Sequence, residues 1–173
     1  KTEGFVLEAL DGESTVMIEG FIEGKEFSCI VLEDTDSNNK AIALPPTEIR
    51  KGKELFDYRS KYLPGLSRKI TPIEVSDEQI NAIRKECERL FSELCFDVYA
   101  RIDGFLSKDG KVFLNDPNTT SGMMPSSFFF HQAAEIGLTP SQFLTYIIRT
   151  SLSKRIKNSK GASVYEPLLQ KLD

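Results

Sequence analysis

The sequence predicts an α+β fold, an antiparallel sheet flanked by helices. Three observations predict it. Strand-like segments come in a run across residues 14–22, 26–32 and 40–49, rich in β-branched and aromatic residues and divided by short polar breaks. Residues 98–106 and 111–116 flank Asp109-Gly110, a pairing favoured in tight type I′ hairpins. Helical periods stand after these runs rather than alternating with single strands, which argues against a doubly wound parallel sheet.

Taken in order, residues 2–10 read as the end of a helix that Gly12 closes, residues 14–22 as a strand, Gly24 as a turn and residues 26–32 as a second strand. The polar run 34–39 is a loop. Residues 40–49 return as a third strand broken by Pro45-Pro46, because proline donates nothing to a ladder and suits a bulge or an edge. Residues 50–69 lose their period and turn basic. A loop of that length is either a lid or binding loop, or a solvated excursion.

Ser76 and Gln79 form a capping box, followed at helical spacing by Ile80, Ile83, Cys87, Leu90 and Leu94. Beyond the hairpin, Ser126 or Ser127 opens a second helix that Gly137 ends. Thr139-Pro140-Ser141-Gln142 is another capping box with proline at the first helical position, and Leu144, Ile147, Ile148 and Leu152 follow on one face. From residue 153 the chain is polar and lysine-rich. The expected division is one lobe over residues 1–152 and a polar tail or linker to a following segment over 153–173.

Composition narrows the function. A net charge of −4 argues against a nucleic-acid partner, although local basic patches stay possible. Cys29, Cys87 and Cys95 lack CxxC spacing and accompany a single histidine, which argues against zinc and against a disulfide framework. No apolar run approaches a bilayer span and no charged-then-apolar leader opens the chain, so a membrane location is not expected and a reducing cytoplasm fits best. The chain begins at Lys1 inside a helical-looking pattern, so it is expected to be an excised piece of a longer polypeptide.

The hairpin carries the chemistry. With a two-residue turn, Lys108 faces Lys111, Asp103 falls opposite Asp116, and Arg101 falls near Asn118. Opposed carboxylates repel across a sheet unless something positive lies between them. Asp103, Asp116 and Asn118 offer hard oxygen ligands suited to Mg²⁺ that keeps several waters and bridges to nucleotide phosphates. The same residues also fit a solvated hairpin end with ordinary surface acids, and the register rests on the assumed turn.

Four motifs in order are more specific: Val16-Met17-Ile18-Glu19-Gly20-Phe21-Ile22-Glu23-Gly24-Lys25-Glu26-Phe27, then Phe56-Asp57-Tyr58-Arg59-Ser60-Lys61-Tyr62, then Ala100-Arg101-Ile102-Asp103, then Asn118-Thr119-Thr120-Ser121-Gly122-Met123. From about residue 5 to residue 150 the chain resembles the C-terminal half of the D-alanine-D-alanine ligases, members of the ATP-grasp superfamily. The resemblance implies the C-terminal ATP-grasp lobe of an ATP-dependent carboxylate-amine ligase that makes a peptidoglycan precursor in the cytoplasm.

The resemblance also implies roles. Asp103, Asp116 and Asn118 would hold two Mg²⁺ (or Mn²⁺) ions against the phosphates of ATP. Arg101 would stabilise an oxyanion, with the backbone N–H of Gly122 as a second donor; its alternative is a structural salt bridge to Asp116. Glu19 and Glu26 would serve as adenine- and ribose-side carboxylates, with Phe21 and Ile22 offering backbone groups and an apolar wall. Lys61 and Tyr62 would sit on a lid that closes over the site, tyrosine matching the dipeptide-forming members. Ser127 and the N–H of Phe128 would clamp the carboxylate of the second D-alanine at a helix N-terminus, or Ser127 is a plain N-cap. His131 reads as structural or exposed, Phe128-Phe129-Phe130 as core with Phe128 the exception, and Met123 and Met124 as packing beneath the phosphate loop.

Two positions depart from the family pattern. Asp116 stands where the family usually has glutamate, and Ser121 where it has proline. The N-terminal and central lobes have no counterpart in this sequence, so the chain alone is expected not to turn over. The family tends to dimerise through regions partly missing here, which leaves a homodimer open. The alternatives are a related ligase for other amino acids and a degenerate nucleotide-sensing module.

Overall fold

The computed structural model describes residues 19–34, 40–51, 67–158 and 166–172. The expected helix at 2–10, most of the strand at 14–22, and positions 52–66 of the expected lid, with Lys61 and Tyr62, lie outside the described residues; the two ends of that stretch, positions 50–51 and 67–69, are strand instead of loop. Among the described residues ten elements follow in order: β1 (Gly24–Asp34), β2 (Lys40–Ala43), β3 (Thr47–Lys51), β4 (Ser67–Ile70), α1 (Asp77–Glu93), β5 (Tyr99–Ser107), β6 (Val112–Asn118), α2 (Phe128–Glu135), α3 (Pro140–Asn158) and α4 (Glu166–Gln170). The six strands form one sheet of order β4-β3-β1-β5-β6, with β2 also paired to β1, and every pairing is antiparallel. The fold is α+β, as the sequence predicts.

Both faces of the sheet are covered, which explains why β1 is buried without interruption from Phe27 to Glu33. On one face Phe27, Cys29 and Val31 pack with Ala100, Ile102 and Leu106 of β5 against Ile83, Cys87 and Phe91 of α1. On the other, Ile30, Leu32 and Leu44 pack against Phe129 and Ala133 of α2 and Phe143 and Ile147 of α3. Burying a Leu, Ile or Phe side chain contributes about 1.5–3 kcal/mol, so these two clusters dominate stability.

The proline pair divides the predicted third strand into β2 and β3, which pair with successive stretches of the same edge of β1. Between them, Leu44 donates its N–H to Ile30 O at 2.8 Å. Gln132 of α2 completes the interrupted ladder: its Oε1 accepts from Ile30 N at 2.8 Å, and its Nε2 donates to Ser28 O at 2.8 Å and Thr47 Oγ1 at 3.0 Å. A helix side chain thus satisfies backbone groups that the prolines cannot.

α1 carries the predicted capping box, with Gln79 N donating to Ser76 Oγ and Ser76 N to Gln79 Oε1. Its buried stripe is Ile83, Cys87 and Phe91, whereas Leu94, expected on that stripe, is the exposed C-cap. α2 ends at Gly137 as predicted, where Gly137 N bonds Ala134 O and Leu138 N bonds Ala133 O. α3 starts at the second capping box, but its inward face is Phe143, Ile147 and Thr150, and Ile148 faces out. α3 runs unbroken through position 152, and Arg149 Nη2 donates to Leu172 O beyond α4.

Gly24 opens β1 opposite Ser107 instead of making a turn, and residues 19–23 are irregular rather than strand. Val98, expected to begin β5, lies just before it with φ +65°. The hairpin turn also differs. Gly110 donates to Ser107 O at 3.0 Å, Ser107 N donates to Lys111 O at 2.9 Å, and Gly110 alone of the loop has positive φ, +82°. This is a three-residue loop with a left-handed glycine, not the two-residue type I′ turn, which needs positive φ at both central residues. The Ser107 hydroxyl favours it by donating to Asp109 and accepting from Lys111 N.

Candidate active site

The longer turn places Asp103 opposite Asn115, not opposite Asp116. The ladder then slips once between Ile102 and Asp103, Asp116 takes φ +42°, and Ile102 faces Pro117 while Arg101 faces Asn118. Asp116 is therefore a bulge residue. Bulges re-aim side chains and recur beside active sites. The predicted pairing of Arg101 with Asn118 holds, because the bulge restores the residue that the turn removed.

β5 presents Ala100, Ile102, Gly104 and Leu106 to the α1 face and Arg101, Asp103 and Phe105 to the other. On that second face α2 and α3 cover the Ile30–Leu32 end, and the Ser28–Asp103 end lies beside the start of α2. Asp103 is the hub. Its Oδ1 accepts from Ser28 Oγ at 2.7 Å and from Arg101 Nε at 3.1 Å, and its Oδ2 accepts from Arg101 Nη2 at 2.9 Å. The ion-pair partner of Arg101 is thus Asp103, not Asp116.

Burial is the largest influence on Asp103 and pushes its carboxyl above the usual aspartate range, against the Ser28 hydrogen bond and the Arg101 charge; the Asp116 carboxylate pushes it further the same way. A half-buried acid, Asp103, thus feels the exposed Asp116 carboxylate, a repulsion that a divalent cation would relieve. Asn118 Nδ2 donates to Asp116 O at 2.7 Å, which fixes the amide and turns its oxygen away from that bond. The donor set of two carboxylates and one amide oxygen suits Mg²⁺, which takes few protein ligands and completes its shell with water and phosphate.

The start of α2 adds a second feature. Ser127 is the N-cap but makes no capping bond, and its buried Oγ has no partner among the described residues. Phe128 is half-buried, Phe129 lies in the core, and His131 is exposed. Lys69 of β4 donates Nζ to Ser126 O at 2.9 Å and lies 4.4 Å from the centroid of the Phe128 ring.

The remaining predicted residues are placed as follows. Glu26 faces Phe105 and Ile49 two pairs along from Ser28, on the sheet face of Asp103. Glu19 and Phe21 are exposed, and Ile22 half-buried, in the irregular segment leading to β1. Gly122 is exposed in the segment between β6 and α2, with open space where a side chain would go. Met123 and Met124 are exposed rather than packed below that segment.

A family model for the D-ala D-ala ligase C-terminus matches residues 1–149. The chain belongs to that family. D-alanine–D-alanine ligase B of Clostridium perfringens is 30% identical over 152 residues, covering 88% of this chain and 48% of the relative. D-alanine–D-alanine ligase of Halalkalibacterium halodurans is 33% identical, covering 85% and 48%. The crystal structure of D-alanine–D-alanine ligase from Bacillus anthracis complexed with ATP superposes with a TM-score of 0.64 at 30% identity, covering 80% of this chain and 43% of that one. The chain thus spans about half the length of these D-alanine–D-alanine ligases, and the Bacillus anthracis structure shares its fold.

Sequence reasoning missed two residues of this candidate site. Ser28 was legible as a lone hydroxyl inside the apolar run Phe27–Val31. Lys69 was counted only in a basic stretch, because nothing in the sequence announced that β4 pairs with β3 and brings it to the start of α2.

Proposed function

We propose that this chain is the C-terminal ATP-grasp lobe of a D-alanine-D-alanine ligase that uses ATP to join two D-alanines for peptidoglycan synthesis. The convergence of Asp103 and Asp116 beside Arg101 carries the reading, since a charge-matched site for phosphate and metal is what such a ligase needs from this lobe. The carboxylate of the first D-alanine attacks the γ-phosphorus of ATP and ADP leaves, giving an acyl phosphate. The amine of the second attacks that carbonyl, and the tetrahedral intermediate expels phosphate to leave the dipeptide.

Asp103, Asp116 and Asn118 would hold Mg²⁺ or Mn²⁺, which neutralises the charge gathering on the transferred phosphoryl group. Arg101, held by Asp103, presents a permanent cation to the oxyanion, with the Gly122 N–H as a second donor. By the family resemblance Glu26 would take the ribose hydroxyls, and Glu19, Phe21 and Ile22 would line the base side. Ser127 and Phe128 N–H take the second carboxylate. Lys61 and Tyr62 belong to the lid. The lobe would work with the N-terminal and central lobes of its parent, in the cytoplasm. Among the described residues no helix is long and apolar enough to cross a membrane.

The test is phosphate release by the complete ligase with Mg²⁺-ATP and D-alanine, compared with Asp103→Asn. Release that depends on D-alanine and falls at least about 100-fold in the variant supports the reading, since metal charge stabilisation is a matter of several kcal/mol. No D-alanine-dependent release from folded, nucleotide-binding protein would overturn it. Product analysis with other D- and L-amino acids separates this ligase from a relative of different substrate, and nucleotide binding without release would mark a sensing module.

A further inference from the structure

The neutral clamp of Ser127 and the α2 N–H groups has a cation beside it with no assigned task. β4 pairs Lys69 with Ile49, β3 pairs Ile49 with Glu26, and β1 pairs Glu26 with Phe105. Directly paired residues share a face in an antiparallel sheet. Lys69 therefore rises from the same face as Ser28, Asp103 and Arg101.

Its ammonium is held by a carbonyl and an aromatic ring, Ser126 O and Phe128, not by an acid. Arg101 already has its carboxylate in Asp103, whereas among the described residues Lys69 meets none. Burial, then the nearby Arg101 charge, holds the Lys69 ammonium below the usual lysine range. Two neighbouring cations, with a buried hydroxyl that has no partner among the described residues lying between the residues that anchor one of them, describe a site suited to an anion. The Ser127 hydroxyl is the independent sign: the residue is 9% exposed, its oxygen is buried, and it does not cap the helix it precedes.

We propose that Lys69 is the charged arm of the second-substrate site, closing on the α-carboxylate that Ser127 and the first turn of α2 hold. The assignment rests on the ligase reading and deepens it. Ser127 and Phe128 N–H supply neutral donors that a carboxamide could also satisfy in part. A lysine adds the element that tells a carboxylate from its amide, because charge-assisted hydrogen bonds are roughly twice as strong as neutral ones. Lys69 is thus a specificity residue for the attacking amino acid. Its aromatic and carbonyl tethers park the flexible side chain near its target, which lowers the ordering cost of the contact.

The test uses the complete ligase, with D-alanine and D-alaninamide as competing second nucleophiles and both products measured by mass spectrometry. Lys69→Gln should raise the KM for the second D-alanine about tenfold, the loss expected for one charge-assisted hydrogen bond. It should reduce the preference for D-alanine over D-alaninamide by the same factor and leave the KM for ATP within about twofold. Lys69→Arg should keep most of the preference. A thermal melt verifies folding, and if Lys69→Gln is unfolded the same comparison is read in Lys69→Met. Equal losses with both nucleophiles, no loss with either, or a rise confined to the KM for ATP overturns the assignment while the ligase reading stands. A folded wild-type enzyme with no D-alanine-dependent phosphate release overturns the ligase reading and this assignment with it.

Discussion

At the scale of single residues, charge at the rim of the sheet is balanced by geometry that sequence spacing does not reveal. Glu48 of β3 is buried, accepting from Lys25 Nζ at 2.9 Å and from Arg50 Nε at 2.7 Å. Burial alone would push its carboxyl up, but the hydrogen bonds from Arg50 and Lys25 outweigh it and hold the group below the ordinary glutamate value. A depressed acid stabilises the fold above its unfolded pKa, and that contribution is lost as pH falls through the folded pKa. Glu48→Gln should therefore cost about 1 kcal/mol at pH 7, the two basic partners being partly solvated. The gap between wild type and variant should close in urea melts as pH drops below about 4.5; a gap that persists at low pH would show that shape, not charge, made the difference. Arg101 and Asp103 were legible as polar positions alternating with Ala100, Ile102 and Gly104. Their mutual ion pair was not legible, because residues two apart on a strand share a face without being obliged to touch.

At the scale of elements, capping chemistry was the most readable signal. Both predicted boxes form, and the glycine stop of α2 stands where the sequence put it. Such motifs are local, so a few residues determine them. The joint between α2 and the sheet was not readable, since it joins residues about a hundred positions apart through Gln132, which looks from sequence like a polar residue destined for solvent. Gln132→Leu should cost about 2–4 kcal/mol in equilibrium unfolding, because Ile30 N–H and Ser28 O would be left buried without partners. A loss under about 0.5 kcal/mol would mean that the β1 edge repairs itself without α2. The helix faces were read less well than the helix ends. α3 turns Phe143 inward and Ile148 outward because it packs at the side of the sheet, and where a helix packs is a tertiary fact that the apolar count of one stretch underdetermines.

At the scale of the whole molecule, the antiparallel α+β architecture followed from the order of strand runs and hairpin, and family membership followed from motifs in sequence order. The order of strands in the sheet, with β1 at the centre and β4 and β6 at the ends of the path, required the structure. The site gathers β1, β4, β5, β6 and the start of α2, so its ligands should report on the fold as one unit. On the proposed function, Mg²⁺-ATP should raise the Tm of the complete protein in proportion to binding, and Asp116→Asn should remove most of that rise while shifting the ligand-free Tm by less than about 2 °C, Asp116 being exposed. A full ligand shift in the variant would take Asp116 out of the metal set. The β5–β6 hairpin has one further consequence. Relative to a two-residue turn, its loop and its bulge shift the pairing by one position in opposite senses, so Arg101 still faces Asn118. Deleting Asp116 alone should straighten the ladder and still leave Ile102 opposite Pro117 and Arg101 opposite Asn118, so the edit removes the re-aimed carboxylate without moving the rest of the strand.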